Sequence, residues 1–158
     1  MTTPATNGNG HAGGLLATRE QAARGQPVIE VAFDRSDRSY APGDPLTARY
    51  RVICPGVALR AVEESVVWYT EGKGEEDLGV HRFERHTDRQ VLAASTDEVT
   101  FSTTLPASPL SYEGMIVKIR WCVRVRVFFH GGRDFVSEHV FQVGRIPPAR
   151  PERTETTT

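Results

Sequence analysis

The chain has 158 residues, of which 39% are hydrophobic and 25% charged, enough for one domain with its own core. Nineteen basic against twenty acidic side chains leave a formal net charge of −1, which excludes a strongly basic nucleic-acid binder. Two cysteines, Cys54 and Cys122, exclude a cysteine-rich scaffold, and no apolar run approaches the roughly 18 residues of an integral membrane segment.

Residues Met1–Gln26 lack Val, Ile, Phe, Tyr and Trp but hold five of the fourteen glycines. Such a stretch buries too little apolar area to offset the entropy of ordering it, so residues 1–26 are expected to be disordered. They also lack the basic start and apolar run of a signal peptide. Residues 27–145 carry the folded domain. Residues 146–158, with Pro147, Pro148, Pro151 and a terminal run of threonines, are expected to form an extended, solvated tail.

Within 27–145 the hydrophobic period is two. Val28–Phe33 reads as a first strand, broken by Asp34-Arg35-Ser36-Asp37. Leu46–Ile53 follows and stops at Pro55-Gly56; Ala61–Thr70 ends in the Glu71-Gly72-Lys73-Gly74 turn. Leu78–Thr87, Glu98–Leu105, Ile116–Phe129 and Phe135–Val143 bring the total to about seven strands, with no ten-residue helical stripe among them. This pattern predicts an all-β fold, an antiparallel sandwich.

Ile116–Phe129 carries the strongest signal. Val117, Ile119, Trp121, Val123, Val125, Val127 and Phe129 fall on one face, which predicts a strand crossing the whole core. Lys118, Arg120, Cys122, Arg124 and Arg126 fall on the other. Their four cations form a stripe roughly 27 Å long at about 6.7 Å between alternate residues. Two readings stand: cross-strand pairing with carboxylates such as Glu98, Asp134 or Glu138, or a groove for an acidic or phosphorylated peptide, whose geometry arginine forks match. Trp68 and Trp121, both on apolar alternating strands, are expected to be largely buried.

Two passages go beyond periodicity. One is Tyr40-Ala41-Pro42-Gly43-Asp44-Pro45-Leu46. The other runs from Phe101 through Leu105-Pro106 and Leu110-Ser111-Tyr112-Glu113-Gly114 into Ile119-Arg120-Trp121-Cys122-Val123. Over about Val28–Gly144 the chain resembles the arrestin fold family, which includes the retromer small subunit and the bacterial sporulation-control arrestin-like proteins. The resemblance implies an immunoglobulin-like β-sandwich of the arrestin type acting as an adaptor. It does not carry over an interdomain switch, since the family's larger members hold two sandwiches and this chain has room for one. The matched Pro42, Gly43, Pro106 and Gly114 are turn-formers and locate the fold alone.

Cys54, Trp68 and Cys122 also stand in the order of an extracellular, disulfide-bonded immunoglobulin domain. Against that reading, Cys122 shares a face with Lys118 and Arg120, and the corner position two residues before it is arginine. Both thiols are expected to be free. Gly72-Lys73-Gly74 lacks the remaining signature of a phosphate loop, and no Gly-x-Ser-x-Gly elbow occurs. Glu75-Glu76-Asp77 lacks the alternating oxygen ligands of a calcium loop. His81, His86, His130 and His139 are read as separate surface residues, because five positions send His81 and His86 to opposite faces of one strand. The chain is therefore read as a cytoplasmic, non-enzymatic domain with no cofactor, metal or nucleic acid. Its expected partner is a protein or acidic peptide, taken at a sheet edge or on Lys118, Arg120, Arg124 and Arg126. The competing reading is a self-associating homodimer.

Overall fold

The computed structural model describes residues 25–146. Apart from Gly25, Gln26 and Ile146, the two segments expected to be disordered lie outside the described residues. The fold is an all-β sandwich of two sheets. Its strands are β1 (Val28–Phe33), β2 (Ser39–Tyr40), β3 (Pro45–Ile53), β4 (Leu59–Gly72), β5 (Leu78–His86), β6 (Val99–Thr104), β7 (Tyr112–Glu113), β8 (Val117–Phe129) and β9 (Asp134–Val143). The smaller sheet has the order β1-β3-β6; the larger has the order β2-β9-β8-β4-β5, with β7 continuing the pairing of β8 where β9 ends. All pairings are antiparallel except β2 with β9.

Strict alternation builds the core. Leu46, Ala48, Tyr50 and Val52 of β3 face Val62 and Val66 of β4 and Trp121, Val123, Val125 and Val127 of β8, all buried. Trp121 is fully enclosed, packed at 6.1 Å from the Phe141 ring, and its indole N–H donates to the Pro109 carbonyl at 2.9 Å. Its cross-strand partner Trp68 is only half-buried, because it sits one strand nearer the sheet edge and its indole lies over Gly79 of β5.

A short helix, α1 (Arg89–Ala94), links β5 to β6. Asp88 caps it by accepting from Gln90 N–H at 2.8 Å, and Leu92 plugs the end of the core. Six residues span under two turns, too few to register as a hydrophobic stripe.

The two passages resembling arrestins meet in space. Gly43 N–H donates to the Leu105 carbonyl at 3.0 Å, and Leu105 N–H donates to the Asp44 carbonyl at 2.9 Å. Gly43 holds φ at 83°, the left-handed region that favours glycine. Ser111 closes a second junction: its N–H donates to the Val143 carbonyl and its Oγ accepts from Val143 N–H. These residues hold the end of the sandwich together.

Candidate binding face

The outer face of the larger sheet carries the basic stripe, and each of its cations meets a carboxylate. Lys118 Nζ lies 2.8 Å from Glu113 of β7 and Arg120 lies 2.5 Å from Glu71 of β4. Arg124 lies 2.6 Å from Glu138 of β9, and Arg126 pairs with Asp134 at the start of β9. The Lys118 ammonium, with Arg120 and Arg145 nearby, holds the Glu113 carboxyl below its usual range; the Glu71 carboxylate raises the Arg120 guanidinium. Glu98 pairs with Arg49 on the smaller sheet, so it takes no part in the stripe.

Between Arg120 and Arg124 the stripe is interrupted by Cys122. Although it points outward, Cys122 is fully buried between Val67 of β4 and Val140 of β9. Burial pushes its thiol up to about 12, with the Glu138 charge adding, so it stays protonated and unreactive. Cys54 and Cys122 are both free thiols.

Strand β5 ends the sheet, paired with β4 alone. Its outward side chains Leu78, Val80 and Phe83 are more than half exposed, at 55%, 58% and 56%. Beside them lies a shallow concavity lined by Glu63, Ser65, Val67, Val80, Phe83, Arg124 and Arg126. Its floor is β4. Its walls are an apolar rim from β5 and two guanidinium groups from β8. Thus the structure brings Arg124 and Arg126 to one concavity with exposed apolar residues, and leaves Lys118 and Arg120 at the far end of the strand beside β7.

Sequence periodicity missed the β5 contribution for a definite reason. The register between β4 and β5 shifts at Val66/Val67: Val66 pairs with Arg82, but Val67 pairs with Val80, leaving His81 as an extra residue. A bulge of this kind reverses the parity of everything beyond it. Leu78 and Val80 therefore share the outer face with Phe83 and Arg85, an alternation no period-two scan detects.

The same bulge corrects the histidine expectation. His81 and His86 both turn toward the inner face, not to opposite faces. His81 packs edge-on at 6.0 Å from the Trp121 ring and its Nε2 donates to the Thr104 carbonyl at 2.9 Å, latching β5 to the facing sheet. His86 Nε2 lies 3.5 Å from the carboxylate of Glu64, which is 2% exposed. Elsewhere on the inner face, His139 Nε2 lies 2.7 Å from Ser137 Oγ; burial, aided by the Arg38 charge, lowers the pKa of that imidazole.

Among the described residues no helix is long and apolar enough to cross a membrane. Neither a protein-family model nor a curated protein matches the chain. Among solved structures the chain is similar to Spo0M, a sporulation control protein from Bacillus subtilis, with a TM-score of 0.50 and 14% sequence identity. The match covers 74% of this chain and 49% of that one, so the chain spans about half the length of the protein it resembles. What the two share is the fold, an all-β sandwich of the type that the Tyr40–Leu46 and Leu105–Gly114 passages resemble.

Proposed function

We propose that the chain is a non-enzymatic adaptor domain of the cytoplasm that holds an extended, acidic segment of a protein partner on the outer face of its larger sheet. The observation that carries this reading is the concavity joining exposed Val80 and Phe83 to Arg124 and Arg126. Exposed apolar side chains in a contiguous group mark interaction surfaces, and arginine is the cation best matched to carboxylates. An incoming acidic side chain exchanges for Glu138 or Asp134, which are themselves well exposed. Each such surface pair is worth only about 0.2–1 kcal/mol, so exchange costs little. The free side of β5 offers backbone groups to which a partner strand adds. Free thiols fit a reducing compartment.

The test uses a fluorescein-labelled decapeptide of alternating Glu and Val, with an alternating Lys and Val peptide as control. Anisotropy is expected to rise on saturable binding of the acidic peptide alone, to weaken with salt, and to vanish in Arg124→Glu/Arg126→Glu. Equal binding of both peptides, or of neither, overturns the reading. Light scattering on the unliganded chain separates self-association: a stable dimer whose dissociation follows Val80→Asp assigns the β5 edge to a second copy instead.

A further inference from the structure

On the opposite side of the same sheet, the inner face of β4 and β5 presents a cluster that the adaptor reading leaves unused. Glu64 is 2% exposed, and its two oxygens have different surroundings. Oε1 accepts from Arg82 Nη1 at 2.7 Å. Oε2 is buried without a hydrogen-bond partner, and so is His86 Nε2, 3.5 Å away. Glu84 completes the group: ligand atoms of Glu64, Glu84 and His86 all lie within 4.8 Å of one another.

Two buried polar atoms that face each other at 3.5 Å without bonding are expensive as they stand. They are well placed for a third body between them. Two ligands each about 2.1 Å from a tetrahedral ion stand about 3.4 Å apart, close to the Glu64–His86 separation. Arg82 forks between Glu64 Oε1 and Glu84 Oε2, at 2.7 and 2.6 Å, which leaves Glu64 Oε2 free and fixes the carboxylate plane. Ligating carboxylates are held by partners of this kind. The Tyr50 hydroxyl, also buried without a hydrogen-bond partner, lies near the same carboxylate; burial first, and then the Glu64 charge, raise its pKa. Glu84 is half-exposed on the edge strand and provides the way in.

We propose that Glu64, Glu84 and His86 form a binding site for one divalent first-row transition-metal ion between the β5 edge and the facing sheet. Two carboxylate oxygens and one imidazole nitrogen suit Zn²⁺ or Co²⁺; the nitrogen disfavours Ca²⁺ and Mg²⁺, and the absence of thiolate disfavours Cu(I). Three ligands leave a fourth position open.

The experiment titrates the EDTA-treated full chain with Zn²⁺ against a chromophoric chelator, and with Co²⁺ in the visible range. One Zn²⁺ per chain is expected, with intense tetrahedral Co²⁺ absorption. At a hundredfold excess over Kd, melting is expected to shift upward by roughly 10 °C. His86→Ala is expected to abolish binding and Glu84→Gln to weaken it at least tenfold, while His81→Ala and His130→Ala retain it. Should His86→Ala fail to fold, Glu84→Gln at its half-exposed position carries the test. No stoichiometric binding to the wild-type chain, or Zn²⁺ affinity unchanged in the folded ligand variants, overturns the proposal.

Discussion

Replacing Arg82 by methionine is expected to be among the most damaging single changes on the inner face. The guanidinium is the hydrogen-bond donor to Glu64 Oε1, and Glu64 is almost wholly enclosed. Methionine keeps the apolar stem but removes the charge, leaving a buried carboxylate with neither oxygen bonded. Breaking a buried pair from one side costs about 3–5 kcal/mol. Arg82 keeps 19% of its side chain exposed, so the environment is partly wet and the lower end applies. Loss of the guanidinium from over the Phe101 ring, 4.7 Å away, adds about 0.5–1 kcal/mol. A total near 3–4 kcal/mol corresponds to a fall in Tm on the order of 12–15 °C for a domain of this size. Glu64→Leu/Arg82→Met removes both charges and is expected to recover to within about 1 kcal/mol of the wild type, since an apolar replacement has no desolvation to offset. Calorimetry of the two single variants and the double closes the cycle. If Arg82→Met melts within about 3 °C of the wild type, Glu64 is not dependent on its partner and the argument fails; if the double is as unstable as the single, packing rather than charge is responsible.

Two further perturbations probe the sandwich. A Cβ at Gly79 would overlap Nε1 and Cε2 of the Trp68 indole, so Gly79→Ala is expected to cost about 1–3 kcal/mol of overpacking and to alter Trp68 fluorescence; unchanged melting and emission would show that the indole swings away freely. His139 is lowered from its ordinary 6.5 by burial, so below that pH the unfolded chain takes up the proton first and stability falls as pH drops toward the folded-state value. Urea midpoints from pH 8 to 5 are expected to decline less steeply in His139→Asn, and identical slopes would assign the decline to other groups.

The long strands were legible because alternation over six or more residues leaves one solution. Val28–Phe33 is found with its expected ends, and Ile116–Phe129 differs from the observed Val117–Phe129 by one residue. The two-residue strands β2 and β7 carry no period of their own; they form where β9 and β8 present free backbone. Asp134 and Glu138 were foreseeable partners of the stripe because they lie one strand away, whereas Glu98 leads into the other sheet. Trp121 and Trp68 looked equivalent in sequence. Only the strand order shows that Trp68 lies nearer the edge and keeps part of its ring in solvent. Glu64 stands next to Glu63 in the sequence with nothing to set the two apart; its position between Val62 and Val66 on the inner face makes it the most deeply buried charge of the fold's described residues.

Much of what periodicity did not reveal traces to one inserted residue. With His81 bulged, Leu78, Val80, Phe83 and Arg85 face outward together while Arg82, Glu84 and His86 face the interior. Deleting His81 restores uniform alternation and forces a choice. Either Leu78 and Val80 rotate inward over Trp68, or the charged set Arg82, Glu84 and His86 rotates outward and strands Glu64 without a donor; a one-residue slip inverts every side chain on its side of the change. His81→Ala is the control, because it keeps the bulge and removes only the packing on Trp121 and the polar contacts of Nε2 with Thr103 and Thr104. That control is expected to cost about 1–2 kcal/mol, from the hydrogen bonding of one ring nitrogen shared between Thr103 and Thr104 and one edge-on aromatic contact. The deletion adds the inversion and is expected to cost at least twice as much, and to lose either acidic-peptide binding or the Glu64–Arg82 coupling measured by the cycle above. Equal melting of the deletion and the alanine variant, with both properties retained, would show that the edge strand repacks without the bulge and that His81 does not set the two faces.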